Sequence, residues 1–185
     1  MFIQTESTPN PATLKFLPGQ TVLGQGAMEF RSAQEAGQAP LAQALFAIPG
    51  VRAVMYGADF ISVTRDESDW AHVKPAILGT IMEHFTSGAP LLAEGVASGS
   101  GDDEFFDPAD AEKVAAIKEL IESRVRPAVA NNGGDIVFRG FRDGVVYLAM
   151  KGACSGCPSS TATLRNGIEN LLRHFHPEVK SVEAV

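Results

Sequence analysis

Between Ser87 and Phe106 the chain stops behaving like a folded element. Gly, Ser, Ala and acidic residues follow one another there with neither a helical nor an alternating apolar period. We read residues 89–106 as a flexible linker, with a span of about 20–25 Å if it scales as a Gly/Ser-rich coil. The alternative is that Leu91, Leu92 and Val96 dock on one of the flanking parts. The 185 residues then form two small domains, residues 1–88 and 107–185, each near the lower edge of independent stability.

Both parts read as α+β. In the first, Ala12 to Leu17 is a strand ended by the Pro18-Gly19 turn pair. Pro40 to Ile48 is a short helix, with Leu41, Leu45 and Ile48 at helical spacing. Val51 to Tyr56 and Phe60 to Thr64 flank Gly57-Ala58-Asp59 as a hairpin. A longer helix carries Trp70, Val73, Ile77, Ile81 and Phe85 on one face, and Trp70 reads as a core anchor. Pro75 predicts a kink in that helix, or a restart with Pro75 in its first turn.

In the second part, Asp107 suits an N-cap, Pro108 the first helical position and Asp110 a capping-box acid. Val114, Ile117, Ile121 and Val125 form a helical stripe that Pro127 should end. Asp135 to Phe141 and Val145 to Met150 enclose Arg142-Asp143-Gly144, and Asp-Gly between apolar runs signals a hairpin. Leu164, Ile168, Leu171, Leu172 and Phe175 mark a last helix, stopped by Pro177, and Val179 to Val185 supply a final strand. The order is α-β-β-α-β, a sheet with helices packed on it. No internal repeat links the two parts.

Composition narrows the function. The formal net charge of −7 repels phosphate backbones and anionic lipids, which argues against nucleic-acid and membrane partners. No apolar run approaches the roughly 20 residues that span a bilayer. Met1 to Pro9 show neither a secretory signal nor the Arg-rich, acid-poor character of a transit peptide, and this predicts a cytoplasmic protein. Only two cysteines are present, Cys154 and Cys157. Two neighbouring thiols in a reducing compartment point to metal binding or redox chemistry rather than to a disulfide scaffold.

A Cys-x-x-Cys loop lets two sulfurs reach one metal centre. Gly152 and Gly156 permit unusual dihedrals and close backbone approach. Pro158, Ser159 and Ser160 place the loop at a helix start, where free N–H groups and the dipole favour the thiolate. Common iron–sulfur clusters take four thiolates, so a fully thiolate-ligated cluster needs a second chain or outside ligands. A two-fold dimer is the simplest supplier, and a cluster on an exposed interface loop should be easily lost, as suits a carrier. The same residues also fit half of a shared Cys₄ zinc site, or, less well, a thioredoxin-like redox pair, whose motif belongs early in a βαβ unit.

Around the cysteines lies a longer pattern: Arg126-Pro127, Gly133-Gly134-Asp135, Gly152 through Ser160, and Leu164-Arg165-Asn166-Gly167-Ile168-Glu169. In these residues the second domain resembles the NifU-like (Nfu) domain of iron–sulfur assembly proteins. Ser7-Thr8-Pro9-Asn10-Pro11 and Leu14-Lys15-Phe16 are similar to the N-terminal domain of the same two-domain family. The resemblance implies a 4Fe–4S cluster, or a 2Fe–2S cluster, bound by Cys154 and Cys157 together with those of a second copy. It also implies delivery from upstream cluster-assembly proteins to apo iron–sulfur enzymes such as lipoyl synthase and aconitase, by a protein that is not itself an enzyme. One departure is Asn132, where the family usually has Asp in Asp-Gly-Gly-Asp.

The remaining polar residues read more plainly. Gly133 and Gly134 form a turn that launches a strand, with Asp135 solvated. Arg126 and Arg165 read as solvated helix-end residues. His72, His84, His174 and His176 are scattered, the last two suiting a helix C-terminus. Ser159, Ser160 and Thr161 lack companion His and Asp residues in a catalytic order. The first domain has no cysteine, which predicts a role in recognising clients or donors.

Overall fold

The computed structural model describes residues 1–94, 104–153 and 158–185, with the backbone alone for 158–160. Two units divide the chain, Met1–Gly99 and Ser100–Val185, each with its own core.

The first unit has strands β1 (Gln4–Ser7), β2 (Thr13–Leu17), β3 (Met28–Phe30), β4 (Val51–Tyr56) and β5 (Ile61–Arg65). They form an antiparallel sheet in the order β1-β2-β5-β4-β3. Phe16 faces Ile61, and Val63 faces both Leu14 and Val54, so one pleat face is apolar. Helices α1 (Pro40–Phe46) and α2 (Trp70–Ser87) cover it with Leu41, Leu45, Val73, Ile77 and Ile81. The buried Tyr56 hydroxyl accepts the Ala42 N–H at the start of α1 (2.7 Å).

Strand β1 is too polar, and β3 at three residues too short, to show a period. They exist because β2 and β4 offer backbone partners. Pro75 neither restarts α2 nor ends it. It lies near the helix start, where its missing N–H forfeits a single bond to the Ala71 carbonyl. Asp69 caps α2 by accepting from Ala71 N–H (3.0 Å), and Gly88 closes it at φ +70°. Trp70 is half-buried and packs against the first core. Its indole N–H donates to the Pro11 carbonyl (3.1 Å), and Arg65 lies over its ring.

The segment expected to be a linker is tied at both ends. Leu91 and Leu92 pack on the first core, and Ala93 N–H donates to the Gln38 carbonyl (2.7 Å). Phe105 donates to Arg139 and accepts from Phe141, while Glu104 pairs with Lys118 (2.8 Å). Residues 95–103, Val96 among them, lie outside the described residues.

The second unit runs α3 (Ala111–Leu120), a π turn over Ile121–Val125, α4 (Arg126–Asn131), β6 (Gly134–Arg142), β7 (Val145–Gly152), α5 (Pro158–Phe175) and β8 (Ser181–Ala184). This is the α-β-β-α-β order. β7 is central, antiparallel to β6 and parallel to β8. Val114, Ile117, Ile136, Val146, Leu148, Ile168 and Leu172 fill the core between sheet and helices. Asp143 and Gly144 turn the hairpin at φ +53° and +81°, both left-handed as a two-residue type I′ loop requires. Asp107 caps through Ala109 N–H (2.9 Å), whereas Asp110 makes no capping bond and pairs with Lys113 (3.2 Å).

Pro127 does not end the helix. The backbone widens into the π turn, so that Arg126 N–H reaches the Ile121 carbonyl, and Pro127 then enters the first turn of α4, where a missing N–H is tolerated. Among the described residues no helix is long and apolar enough to cross a membrane.

His84 on α2 is 9% exposed, and among the described residues its Nε2 has no hydrogen-bond partner. Burial pushes its pKa below the ordinary value. As pH falls through about 6.5, the unfolded chain therefore takes up a proton that the folded unit resists, and stability present above that pH declines. Fluorescence of Trp70, the sole Trp, should report a thermal midpoint that drops between about pH 7 and 5.5. His84→Leu should flatten that decline.

Candidate functional site

Cys154 and Cys157 lie outside the described residues, as do Ser155 and Gly156. What the structure gives is the frame on either side of them. The loop leaves β7 at Gly152 (φ +68°) and Ala153, which is 1% exposed, and helix α5 begins at Pro158. The helix start is where the sequence places it, so Pro158 opens an 18-residue helix whose amide end favours negative charge.

The departing side is held by the turn between α4 and β6. Gly133 sits at φ +75°, donates its N–H to the Ala130 carbonyl (2.9 Å) and accepts the Ala153 N–H (3.3 Å). One residue on, Gly134 pairs with Gly152, and Asp135 pairs with Lys151. A side-chain ion pair locks the turn. Arg126 Nε donates to Asp135 Oδ1 and Arg126 Nη2 to Asp135 Oδ2, both at 2.9 Å. The remaining arm, Nη1, reaches both oxygens of Glu122 at 2.8 and 2.9 Å.

Two expectations are corrected here. Asp135 is 5% exposed, not solvated, and Arg126 does not lie on a solvated helix end. A carboxylate that deep is costly unless paired, and the guanidinium fork meets both its oxygens at once. The hydrogen bonds with Asp135, opposed by desolvation and aided by Glu122, hold Arg126 charged well beyond its ordinary range. Sequence reading missed the pair because its partners are nine positions apart on different elements.

Asn132 is exposed. Its backbone N–H donates to the Val129 carbonyl (3.0 Å) and its side-chain Nδ2 to the Ala128 carbonyl (3.3 Å). An ionised Asp has no donor for that carbonyl, so the amide closes the C-terminus of α4 in a way the acid cannot. Arg165 lies 4.0 Å from Glu183, and Glu169 accepts the Val182 N–H (3.3 Å), tying α5 to β8. His176 faces Glu178 at 3.6 Å, His174 packs edge-on against Phe175, and His72 and His84 belong to the first unit. Among the described residues no cluster of three or more His, Cys, Asp or Glu side chains converges to hold a metal.

Comparison with known proteins places the whole chain. The model of the scaffold protein Nfu/NifU N terminal matches residues 3–88, and the NifU-like domain matches residues 117–183. The human protein named "NFU1 iron-sulfur cluster scaffold homolog, mitochondrial" is 49% identical over 187 residues, covering 100% of this chain and 72% of its own length. "NifU-like protein 5, mitochondrial" of Arabidopsis thaliana is 49% identical over 186 residues, covering 99% and 67%. A solution structure of a NifU-like protein from Saccharomyces cerevisiae aligns with TM-score 0.46 and 27% identity over 51% of this chain and 86% of its own. The chain spans 62% to 72% of the length of the first curated relatives it matches.

These relatives overturn the expectation of a cytoplasmic protein. Human, Drosophila and Arabidopsis members all carry mitochondrial names. The expectation rested on finding no targeting pattern in Met1 to Pro9, and in a chain that spans only part of its relatives this has no force.

The geometry of the turn makes a direct prediction. Gly133→Ala places a Cβ in the left-handed region, at a cost of about 1–2 kcal/mol. Hydrogen exchange at the Ala153 amide, which rests on Gly133, should then speed up by about tenfold.

Proposed function

The chain belongs to the Nfu/NifU iron–sulfur cluster scaffold family, and on that footing we propose that it carries a 4Fe–4S cluster between two copies of itself. Cys154 and Cys157 of each copy supply the thiolates. One observation carries this reading: two cysteines, three positions apart, are all the thiols the chain has. Four-thiolate ligation of one cluster is then met by two chains, and a two-fold axis brings the same loop from each.

The cluster is cargo. The chain's own part is to present two thiolates at a helix start on a backbone fixed by Gly133, Gly152 and Ala153, and to let them go. Two ligands per copy make release stepwise, because separation of the copies halves the coordination. Upstream assembly proteins load the site and apo iron–sulfur enzymes empty it, with no turnover chemistry by the chain itself. The first unit, which has no cysteine, recognises clients or donors. Deleting residues 1–88 should slow transfer to at least one client, and unchanged rates for all of them would remove that role.

Anaerobic reconstitution with iron and sulfide, followed by Mössbauer spectroscopy, tests the site. We expect a diamagnetic 4Fe–4S signal in the wild type and none in Cys154→Ala or Cys157→Ala. Stoichiometric zinc with no cluster, or reversible dithiol cycling at a defined potential, would replace this reading with a zinc module or a redox protein.

A further inference from the structure

We propose that Arg126 is a positioning residue for the cysteine loop, which fixes the backbone from which Cys154 departs and so governs how long a bound cluster persists. The inference rests on the carrier reading above and adds the device that holds the ligands in place.

The path is short and continuous. Arg126 grips Asp135 through two parallel 2.9 Å hydrogen bonds. Asp135 is opposite Lys151 in the β6–β7 ladder, and its neighbour Gly134 is opposite Gly152. Ala153, the residue before Cys154, hangs from the Gly133 carbonyl in the same turn. A shift of Asp135 relative to α4 therefore moves the backbone on which the loop stands.

The nature of the pair supports positioning over stabilisation. A buried ion pair is a poor stabiliser, since apolar residues of similar volume often serve as well. It is a strict geometric constraint, however, because a planar fork donates to a carboxylate bidentately in one orientation. Lysine brings the charge without the fork. The helix is irregular where the grip is made. Arg126 follows directly on the π turn over Ile121–Val125, and Glu122 of that turn holds its third arm. Single π turns of this kind are frequent at functional sites. The Asp135 carboxylate, 5% exposed, meets that arginine where the loop begins.

The test uses the full chain in three forms: wild type, Arg126→Lys, and the double variant Arg126→Met with Asp135→Leu. Thermal unfolding of the apo proteins reports stability. Cluster loss to an iron chelator reports persistence. Alkylation of apo Cys154 relative to Cys157, read by peptide mass spectrometry, reports loop position without any cluster. We expect the double variant to unfold near the wild-type midpoint. Both variants should nonetheless lose cluster about 10–100-fold faster, the scale of loss seen when a residue that supports a metal ligand is removed, with an altered ratio of thiol reactivities.

Cluster persistence that follows the thermal midpoint, and so is restored in the double variant, would overturn the proposal and leave Arg126 a stabilising residue. Unchanged persistence and unchanged alkylation in Arg126→Lys would overturn it as well, and that variant decides the matter if the double variant fails to fold. If the wild type takes up no cluster, the carrier reading fails instead, and the alkylation ratio still decides whether Arg126 positions the loop.

Discussion

Two parallel hydrogen bonds between the Arg126 guanidinium and the Asp135 carboxylate fix the turn between α4 and β6 in the second unit. They join the start of α4 to the start of β6 across a turn that carries Gly133 in a conformation glycine adopts without strain. From that turn the β6–β7 ladder transmits register to Gly152, and a single amide bond holds Ala153. The apolar contacts of Ile136, Leu148 and Ile168 hold the sheet against its helices, but apolar contact is non-directional. The ion pair supplies the direction. Its third partner, Glu122, brings the π turn into the same network, so helix irregularity, strand register and loop origin form one mechanical unit.

This arrangement would suit the proposed role of holding a cluster and then releasing it. A resident cofactor is usually enclosed by ligands from several elements of one chain. Here one chain offers two thiols on one loop, and the rest of the coordination must come from elsewhere. Precision in the frame then replaces completeness of the ligand set. The first unit is built on different terms. Its five-stranded sheet buries one face under α1 and α2, and the Trp70–Pro11 bond ties its second helix to the loop after β1. The two units have separate cores.

Much of the fold was legible in the sequence where local physics decides. Asp143-Gly144 between apolar runs specified the β6–β7 hairpin, because both residues had to adopt positive φ. The stripe from Leu164 to Phe175 specified α5, and Asp107-Pro108 specified the start of the second unit. The misses share a cause, which is dependence on partners distant in sequence. Strands β1 and β3 are created by their neighbours. Pro127 was read as a stop because the π turn that accommodates it has no local signature. Leu91 and Leu92 dock on the first core, the alternative the sequence leaves open, and Phe105 bonds to β6; their partners lie elsewhere in the chain. In the candidate site the spacing marks Cys154 and Cys157, which lie outside the described residues, while Asp135 reads from the sequence as solvated and is buried. Only the fold brings Arg126 to it. Asn132 was noticed as a departure, but its capping of α4 could not be seen without the Ala128 carbonyl.

Native mass measurement of the anaerobically loaded full chain tests the central claim most directly, because it counts chains and clusters together. A shared cluster gives a species of two chains with a single 4Fe–4S cluster that falls to bare single chains as iron is removed. A cluster-bearing single chain, or a dimer of unchanged mass that carries no iron, would contradict it.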